Sequence, residues 1–256
     1  NPDLILEKYL FYILYSPLGQ AQIKKTIHGA AQGGIDQSFV NFVKIPLLPL
    51  LIQQKIVEML DAIGKTQELN EKQISLADEL FQSLLHRELK PTKIWRVKRL
   101  GEVCEVNPKI NLDLSQEKVR YVEMAAIDEN LKEIKYLLDR PADKVSSGAS
   151  KFRNGDVIFA RITPCTENGK VALVEDCHEV YAGSTELHVL RAKQKEMIPR
   201  FIFYFLIKPR VKDMAVASMT GTTGRQRVPA EFFRYIKVPL PSLKTQHQIV
   251  KKLSAA

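Results

Sequence analysis

The stretch LLIQQKIVEMLDAIGKTQELNEKQISLADELFQSLLHRELK, Leu50 to Lys90, follows Pro46-Leu47-Leu48-Pro49 and runs to Pro91 with one internal glycine, Gly64. No proline interrupts it, and the spacing predicts one long helix. Ile56, Leu60, Ile63, Ile74, Ala77, Phe81 and Leu84 recur at helical spacing and mark one face. Leu69, with Leu76 and Leu80, widens that stripe, while Gln67 and Asn70 interrupt it as register-setting polar residues do in coiled coils. At 1.5 Å per residue the segment reaches roughly 55 Å, more than one small domain wraps. It is expected to pack against a partner helix.

The residues that introduce this helix occur twice. Lys44-Ile45-Pro46-Leu47 matches Lys237-Val238-Pro239-Leu240, and the register continues without a gap through Leu50 and Leu243, Gln53 and Gln246, Ile56-Val57 and Ile249-Val250, Leu60 and Leu253. Upstream, with one inserted residue, Phe11-Tyr12 aligns with Phe203-Tyr204, Leu14 with Leu206 and Pro17 with Pro209. Between these anchors lie two Gly-containing loops, His28 to Ile35 and Thr220 to Val228. Self-similarity of this kind implies a repeated structural unit. Each copy is expected to hold a short apolar helix (Leu6 to Tyr15; Phe201 to Ile207), a loop, a strand-like run into a Pro turn, and a long helix. The first copy carries only these closing parts. The second has a full body before them, Trp95 to Leu190, and its long helix stops at Ala256.

At 256 residues and 45% hydrophobic content, the chain has enough apolar material for a true core. Its net charge of +9 and isoelectric point of about 9.3 favour a polyanionic partner, nucleic acid first among them. Cys104, Cys165 and Cys177 form no Cys-x-x-Cys pair, as reduced thiols would have it, rather than a disulfide framework or a zinc site. The apolar run Tyr9 to Tyr15 is too short to span a bilayer, so no membrane is expected and a soluble intracellular chain is. The chain opens on Asn1-Pro2 without a methionine, which suggests a trimmed or partial chain.

The body reads as mixed and strand-rich. Arg96 to Gly101 leads in, Tyr121 to Met124 is a β-type run, Gly155 to Ile162 alternates as a strand does, and Thr185 to Leu190 is a further strand. Asn168-Gly169, between Ile162 and Val171 to Val174, is a hairpin signal. The fold class is therefore α+β: a strand-rich domain attached to a long coiled-coil-type helix.

Catalytic patterns fail one by one. Asn107-Pro108 is followed by Lys109-Ile110 instead of the Pro-aromatic pair of amino-methyltransferases, with no Gly-rich cofactor loop. Asp128 and Glu133-Ile134-Lys135 imitate the carboxylates and lysine of metal-dependent nucleases, but five residues apart in a charged stretch. Gly221-Thr222-Thr223-Gly224 lacks the Gly-Lys-Ser/Thr of a phosphate loop, and Cys177-His178 is poorly spaced for tetrahedral metal chelation. The candidate catalytic and metal sets are empty. The hairpin instead offers donors and acceptors suited to nucleic acid: Arg161, Thr163, Thr166, Asn168 and Lys170 surround the turn, on a ribbon narrow enough for a major groove. Arg161 could pair bidentately with guanine and Asn168 with adenine. Lys151, Arg153, Lys170, Arg225 and Arg227 are candidate phosphate clamps, and Ser184, Thr185 and Thr223 complete the DNA-contacting set.

The run Gly155-Asp156-Val157-Ile158-Phe159-Ala160-Arg161-Ile162-Thr163-Pro164-Cys165-Thr166-Glu167-Asn168-Gly169-Lys170, then Gly183-Ser184-Thr185-Glu186, resembles a target recognition domain of a type I restriction-modification specificity subunit. So does the opening Trp95 to Lys109, and the paired Pro-Leu-x-x-Leu turns and Gln-x-x-Ile-Val helix starts resemble that family's two spacer regions. The resemblance divides the chain into residues 1–47, closing a first recognition domain; 48–91, a spacer helix; 92–240, a second recognition domain; and 241–256, the start of a second spacer helix. It departs from the family in that the first recognition domain lacks its body. It implies a non-catalytic reader of double-stranded DNA whose antiparallel spacer helices set the gap between two half-sites. DNA adenine methyltransferase subunits would dock on those helices, a motor-endonuclease subunit would join them, and S-adenosylmethionine, ATP and Mg²⁺ would sit on these partners, none on this chain. The alternatives are the recognition half of a combined DNA methyltransferase and endonuclease, which would turn over alone, and a protein-only coiled-coil scaffold. With its second helix cut short, the chain is expected to take the missing helix from a second copy and form a head-to-tail homodimer; sedimentation at micromolar concentration would detect it.

Overall fold

The computed structural model describes residues 2–25, 40–112 and 116–255. The chain forms two compact units, residues 1–78 and 79–256. The predicted loop His28 to Ile35 lies outside the described residues.

The first unit contains α1 (Glu7–Tyr15), α2 (Pro17–Lys24) and the start of α3 (Leu50–Glu88). α1 ends at Ser16, whose hydroxyl then accepts from Gly19 N–H at 3.2 Å and caps α2, while Pro17 occupies the first helical position. α3 runs for 39 residues, about 58 Å at the standard rise. It stops short of Pro91, which disfavours the helical conformation for the residue before it.

The second unit holds the remaining elements. β1 (Arg96–Arg99) pairs antiparallel with β10 (Lys237–Leu240), and the short α4 (Leu100–Val103) follows β1. One sheet has the order β2-β9-β6-β7, built from β2 (Cys104–Val106), β6 (Asp156–Ala160), β7 (Val171–Leu173) and β9 (Leu187–Ala192). The other has the order β4-β3-β8-β5, from β3 (Lys118–Val122), β4 (Leu138–Pro141), β5 (Ser150–Phe152) and β8 (Tyr181–Gly183), with β3 and β8 parallel. Gly183 permits this packing: a β-carbon there would lie 2.8 Å from the Phe152 ring and 3.0 Å from the Val122 carbonyl.

Every residue of β6 is buried, and its two faces serve different cores. Val157 and Phe159 join one cluster with Leu190 of β9 and with α5 (Pro199–Leu206), α7 (Ala230–Tyr235) and α8 (Leu243–Leu253), to which Phe201, Phe233 and Ile249 belong. Ile158 and Ala160 join a second cluster with Val122, Phe152, Leu187 and Val189. The two-residue period of a strand thus places helices on one side of this sheet and the second sheet on the other. Leu85 and Leu89, from the end of α3, are buried in the helical cluster, with Phe81 and Leu84 partly buried against it. The predicted partner-helix stripe is therefore divided. Phe81 and Leu84 serve this core, Ile56 and Leu60 are half-buried, and Ile63, Leu69, Ile74 and Ala77 are exposed.

The repeat detected in the sequence is repeated in hydrogen bonds. Gln53 is fully buried; its Oε1 accepts from Leu6 N–H at 2.9 Å, and its Nε2 donates to the carbonyls of Leu4 at 2.9 Å and Leu48 at 2.7 Å. Gln246 is also fully buried; its Oε1 accepts from Ile198 N–H at 2.9 Å, and its Nε2 donates to Glu196 at 2.9 Å and Pro241 at 3.0 Å. The partners correspond one to one under the sequence alignment. So do Tyr12, bonded to Asp61 at 2.7 Å, and Tyr204, bonded to Ser254 at 2.9 Å. The alignment paired Pro17 with Pro209 but gave no helix after either; both open one, α2 and α6 (Pro209–Ala217).

The predicted hairpin forms, with β6 and β7 antiparallel, but its turn is longer than the Asn-Gly signal implied. β6 ends at Ala160 and β7 begins at Val171, and residues 161–170 between them form a compact turn of helical type. Thr166 N–H donates to Ile162 at 3.0 Å, Asn168 N–H to Pro164 at 3.0 Å and Lys170 N–H to Cys165 at 3.1 Å. Gly169, at φ +71°, is the left-handed residue that ends the turn, the role a glycine takes after a helix. Asn-Gly here stops a coil instead of forming a tight β-turn.

Gln246→Leu keeps the side-chain bulk but leaves Ile198 N–H and two carbonyls without partners. It is expected to lower the unfolding free energy of the second unit by about 3 kcal/mol. Urea titration followed by the fluorescence of Trp95, the single tryptophan, measures this; an unchanged midpoint would show that the amide does not hold α8 in place.

Candidate nucleic-acid interface

A cleft of about 400 Å³ opens in the second unit, lined by residues 107–111 and 148–151 with Arg161, Thr185, Leu187 and Val189. Lys109, Lys151 and Arg161 bring three positive charges to it, Asn107 and Asn111 bring amides, and no carboxylate is among the described residues that line it. β5 supplies Lys151, whose ammonium lies 3.4 Å from the Ser147 carbonyl.

The Asn107 wall is held from behind by a buried histidine. Asn107 has φ +54°, a conformation tolerated by asparagine better than by most residues. Its N–H donates to Val189 O at 2.7 Å, its Oδ1 accepts from Val189 N–H at 2.9 Å, and its Nδ2 lies 3.0 Å from His188 Nδ1. His188 Nε2 lies 2.8 Å from the Val228 carbonyl, which can only accept, so the proton sits on Nε2 and Nδ1 receives the Asn107 amide. Burial pushes the His188 pKa below 6.5.

Arg161 is fixed by its backbone and by its side chain. Its N–H donates to Glu186 O at 3.0 Å, its carbonyl accepts from Val228 N–H at 2.8 Å, and its Nε donates to Glu186 Oε2 at 3.1 Å. Arg227 also grips Glu186, with Nη2 2.7 Å from Oε1 and Nε 2.9 Å from Oε2. The Arg227 guanidinium, and after it Arg161, hold the Glu186 carboxyl below the usual carboxylate range. Paired backbone bonds between Thr220 and Arg227, at 3.0 and 2.8 Å, close the loop that delivers Arg227. Glu186, Lys109, Asn107 and His188 were missing from the sequence-derived set; the Ser184-Thr185-Glu186 run and Asn107-Pro108-Lys109, which carried the family resemblance, contain the first three, and no sequence signal marked His188.

Other predicted contact residues are engaged inside the fold. Thr166 is fully buried, with its hydroxyl 3.0 Å from the Ala160 carbonyl, which removes it from any surface role. Lys170, with its side chain 15% exposed, donates to the carbonyls of Met124 at 3.1 Å and Ile127 at 3.0 Å, so it ties the 161–170 turn to the 124–127 segment instead of projecting as a clamp. Asn168 is exposed but donates to Glu129 Oε2 at 3.2 Å, and the half-buried Thr163 hydroxyl donates to Glu167 at 3.0 Å. The expected ribbon is thus a turn clamped at its tip. Ser184 accepts from Glu186 N–H at 3.2 Å, and Thr185 is exposed at the cleft. Thr223 and Arg225 are exposed in the loop before Arg227. Arg153 lines a separate depression with Asp156 and Arg191, away from the cleft-lining set.

The nuclease-like acidic residue serves a turn. Asp128 Oδ1 accepts from Asn130 N–H at 2.6 Å and Leu131 N–H at 2.9 Å, and Lys135 lies 2.5 Å from Oδ2, which brings the carboxyl down to about 2. Cys104 and Cys177 are buried and Cys165 half-buried, each thiol pushed up by burial. Among the described residues, no helix is long and apolar enough to cross a membrane.

The sequence matches the model of the type I restriction modification DNA specificity domain over residues 1–77 and 92–256, and the chain belongs to that family. Among curated relatives, it is 26% identical over 243 residues to the type I restriction enzyme EcoAI specificity subunit of Escherichia coli, covering 90% of this chain and 41% of that protein. It is 28% identical over 240 residues to the EcoEI specificity subunit of the same organism, covering 88% of this chain and 40% of that protein. The chain thus spans about two fifths of these relatives. Among solved structures, the fold is similar to the type I restriction-modification S subunit from M. genitalium, with a TM-score of 0.56, 16% identity, and coverage of 100% of this chain and 67% of that one. It is also similar to a chain from a work on complex assembly and conformational transition of the type I R-M system, with a TM-score of 0.57, 18% identity, and coverage of 100% and 64%.

Because His188 is neutral and buried, its lowered pKa makes the unfolded chain the better proton acceptor below pH 6.5. Its contribution to stability is therefore intact above pH 6.5 and is lost as pH falls towards the folded-state pKa. The unfolding free energy of the native chain is expected to drop as pH falls below about 6.5, and that of His188→Gln to drop less. Parallel pH profiles for the two proteins would exclude His188 as the source.

Proposed function

We propose that this chain is a non-catalytic DNA-reading part of a type I restriction-modification specificity subunit, and that its second unit contacts one half of a bipartite duplex target. The observation that carries the reading is the cleft, which gathers Lys109, Lys151 and Arg161 beside Asn107 and Asn111 without an acidic side chain among its described lining residues. Cations at such a surface neutralise phosphates, while amides and guanidinium groups can address base edges. Membership of the specificity-domain family gives the same direction.

Partner binding belongs to the same proposal. The exposed apolar residues of α3, Ile63, Leu69, Ile74, Leu76 and Leu80, support a protein partner along this helix, and DNA adenine methyltransferase subunits are the partner proposed. A motor-endonuclease subunit would join that assembly. S-adenosylmethionine, ATP and Mg²⁺ then belong to the partner subunits, in keeping with a chain whose role is to recognise and position.

Duplex DNA binding measured by fluorescence anisotropy over a salt series tests the reading. The affinity is expected to fall steeply with salt, and Lys109→Ala and Lys151→Ala are each expected to reduce the slope of log K against log salt by about one. Failure to bind duplex DNA at low salt, or slopes in both variants unchanged from that of the native chain, would overturn it.

A further inference from the structure

Resting on the DNA-reading assignment, we infer that Arg161 is a guanine-reading side chain and that Glu186 is the residue that positions it, with Arg227 as the neutralising counter-cation. The three differ in how much of each is left for a ligand. Arg227 spends its Nε and Nη2 fork on the Glu186 carboxylate, and its Nη1 faces the Arg225 carbonyl at 3.4 Å. Arg161 gives Glu186 its Nε alone, and among the described residues its two terminal nitrogens have no partner. Two cations share one carboxylate, so one positive charge remains, and it is carried by the guanidinium that lines the cleft.

The chemistry left over is that of a specific ligand. A planar pair of N–H donors held at one orientation matches O6 and N7 of guanine, the arrangement by which arginine reads that base in a major groove. A phosphate could also accept such a fork, but it carries no sequence information, so a base preference that depends on Arg161 separates the two. The backbone reinforces the tether, since Arg161 N–H bonds to the same residue, Glu186, whose side chain holds its Nε.

Selection of bound duplexes from a random-sequence library, with the full chain and then with its variants, tests the assignment. The native chain is expected to yield a motif with guanine at one position preferred by about tenfold or more. Arg161→Ala and Arg161→Lys should lose the preference at that position while keeping the rest of the motif. Glu186→Ala should weaken it at the same position, Glu186→Gln, which retains an acceptor for Nε, should weaken it less, and Lys251→Ala, which removes a charge from α8, should leave it intact. Replacing that guanine by 7-deazaguanine should weaken the native chain and leave Arg161→Ala unchanged. A motif whose every position survives Arg161→Ala overturns the guanine assignment, and a preference indifferent to Glu186→Ala overturns the positioning role. No motif at all would instead overturn the DNA-reading function on which both rest.

Discussion

A buried carboxamide at the foot of each repeated helix closes the chain on itself. Glutamine has one acceptor and two donors to offer in a single plane, and Gln53 and Gln246 both use all three on backbone groups. In each copy the amide joins the segment before a short apolar helix to the turn that starts the long one. A backbone N–H and two carbonyls buried there without such a partner would carry a desolvation cost large enough to open the junction. The helix start, the preceding turn and the distant apolar helix are therefore specified together, and this explains why the same partners recur in both copies although the upstream part is offset by one inserted residue.

In the second unit, the sheet built on β6 is covered on both faces, so its strands have no surface left for a ligand except at their ends and in the connections. The cleft lies where β9 begins, next to β5 and the residue that follows β6. Interior strands give such a site rigidity, and loops give it chemistry. The His188 ring illustrates the coupling: it is buried beneath the sheet end, packed against Phe233 at 5.2 Å, and sets the orientation of the Asn107 amide at the cleft wall.

The long helix and the duplication were legible because their signals are local and periodic: prolines bracket Leu50 to Lys90, and matching residues recur in the same order at an offset that changes by only one residue. The strand of β6 was legible from alternation. Of the second sheet only the end of β3 was marked, by the run from Tyr121, because the other three strands are three to four residues long and lack a run of apolar residues. Of the candidate contact residues, Lys151, Arg161 and Thr185 meet in one cleft. Thr166 and Lys170 looked equivalent to them in sequence, yet the partners of Lys170 lie 43 and 46 residues away in the chain. Glu186 was missed because an acid is not sought where an anion is to bind.

That acid has a physical reason to be there. A free arginine side chain loses about 2 kcal/mol of rotamer entropy when a ligand fixes it. Fixing Arg161 through its Nε during folding removes much of that cost from the binding step, and preorganised groups gain affinity chiefly in this way. A carboxylate used for this purpose would by itself repel DNA. Arg227, paired with both oxygens of Glu186, cancels that charge without occupying the terminal nitrogens of Arg161. Two arginines and one glutamate therefore do what one arginine alone would not: they present a single cation in one plane, with the orientation settled before any ligand arrives.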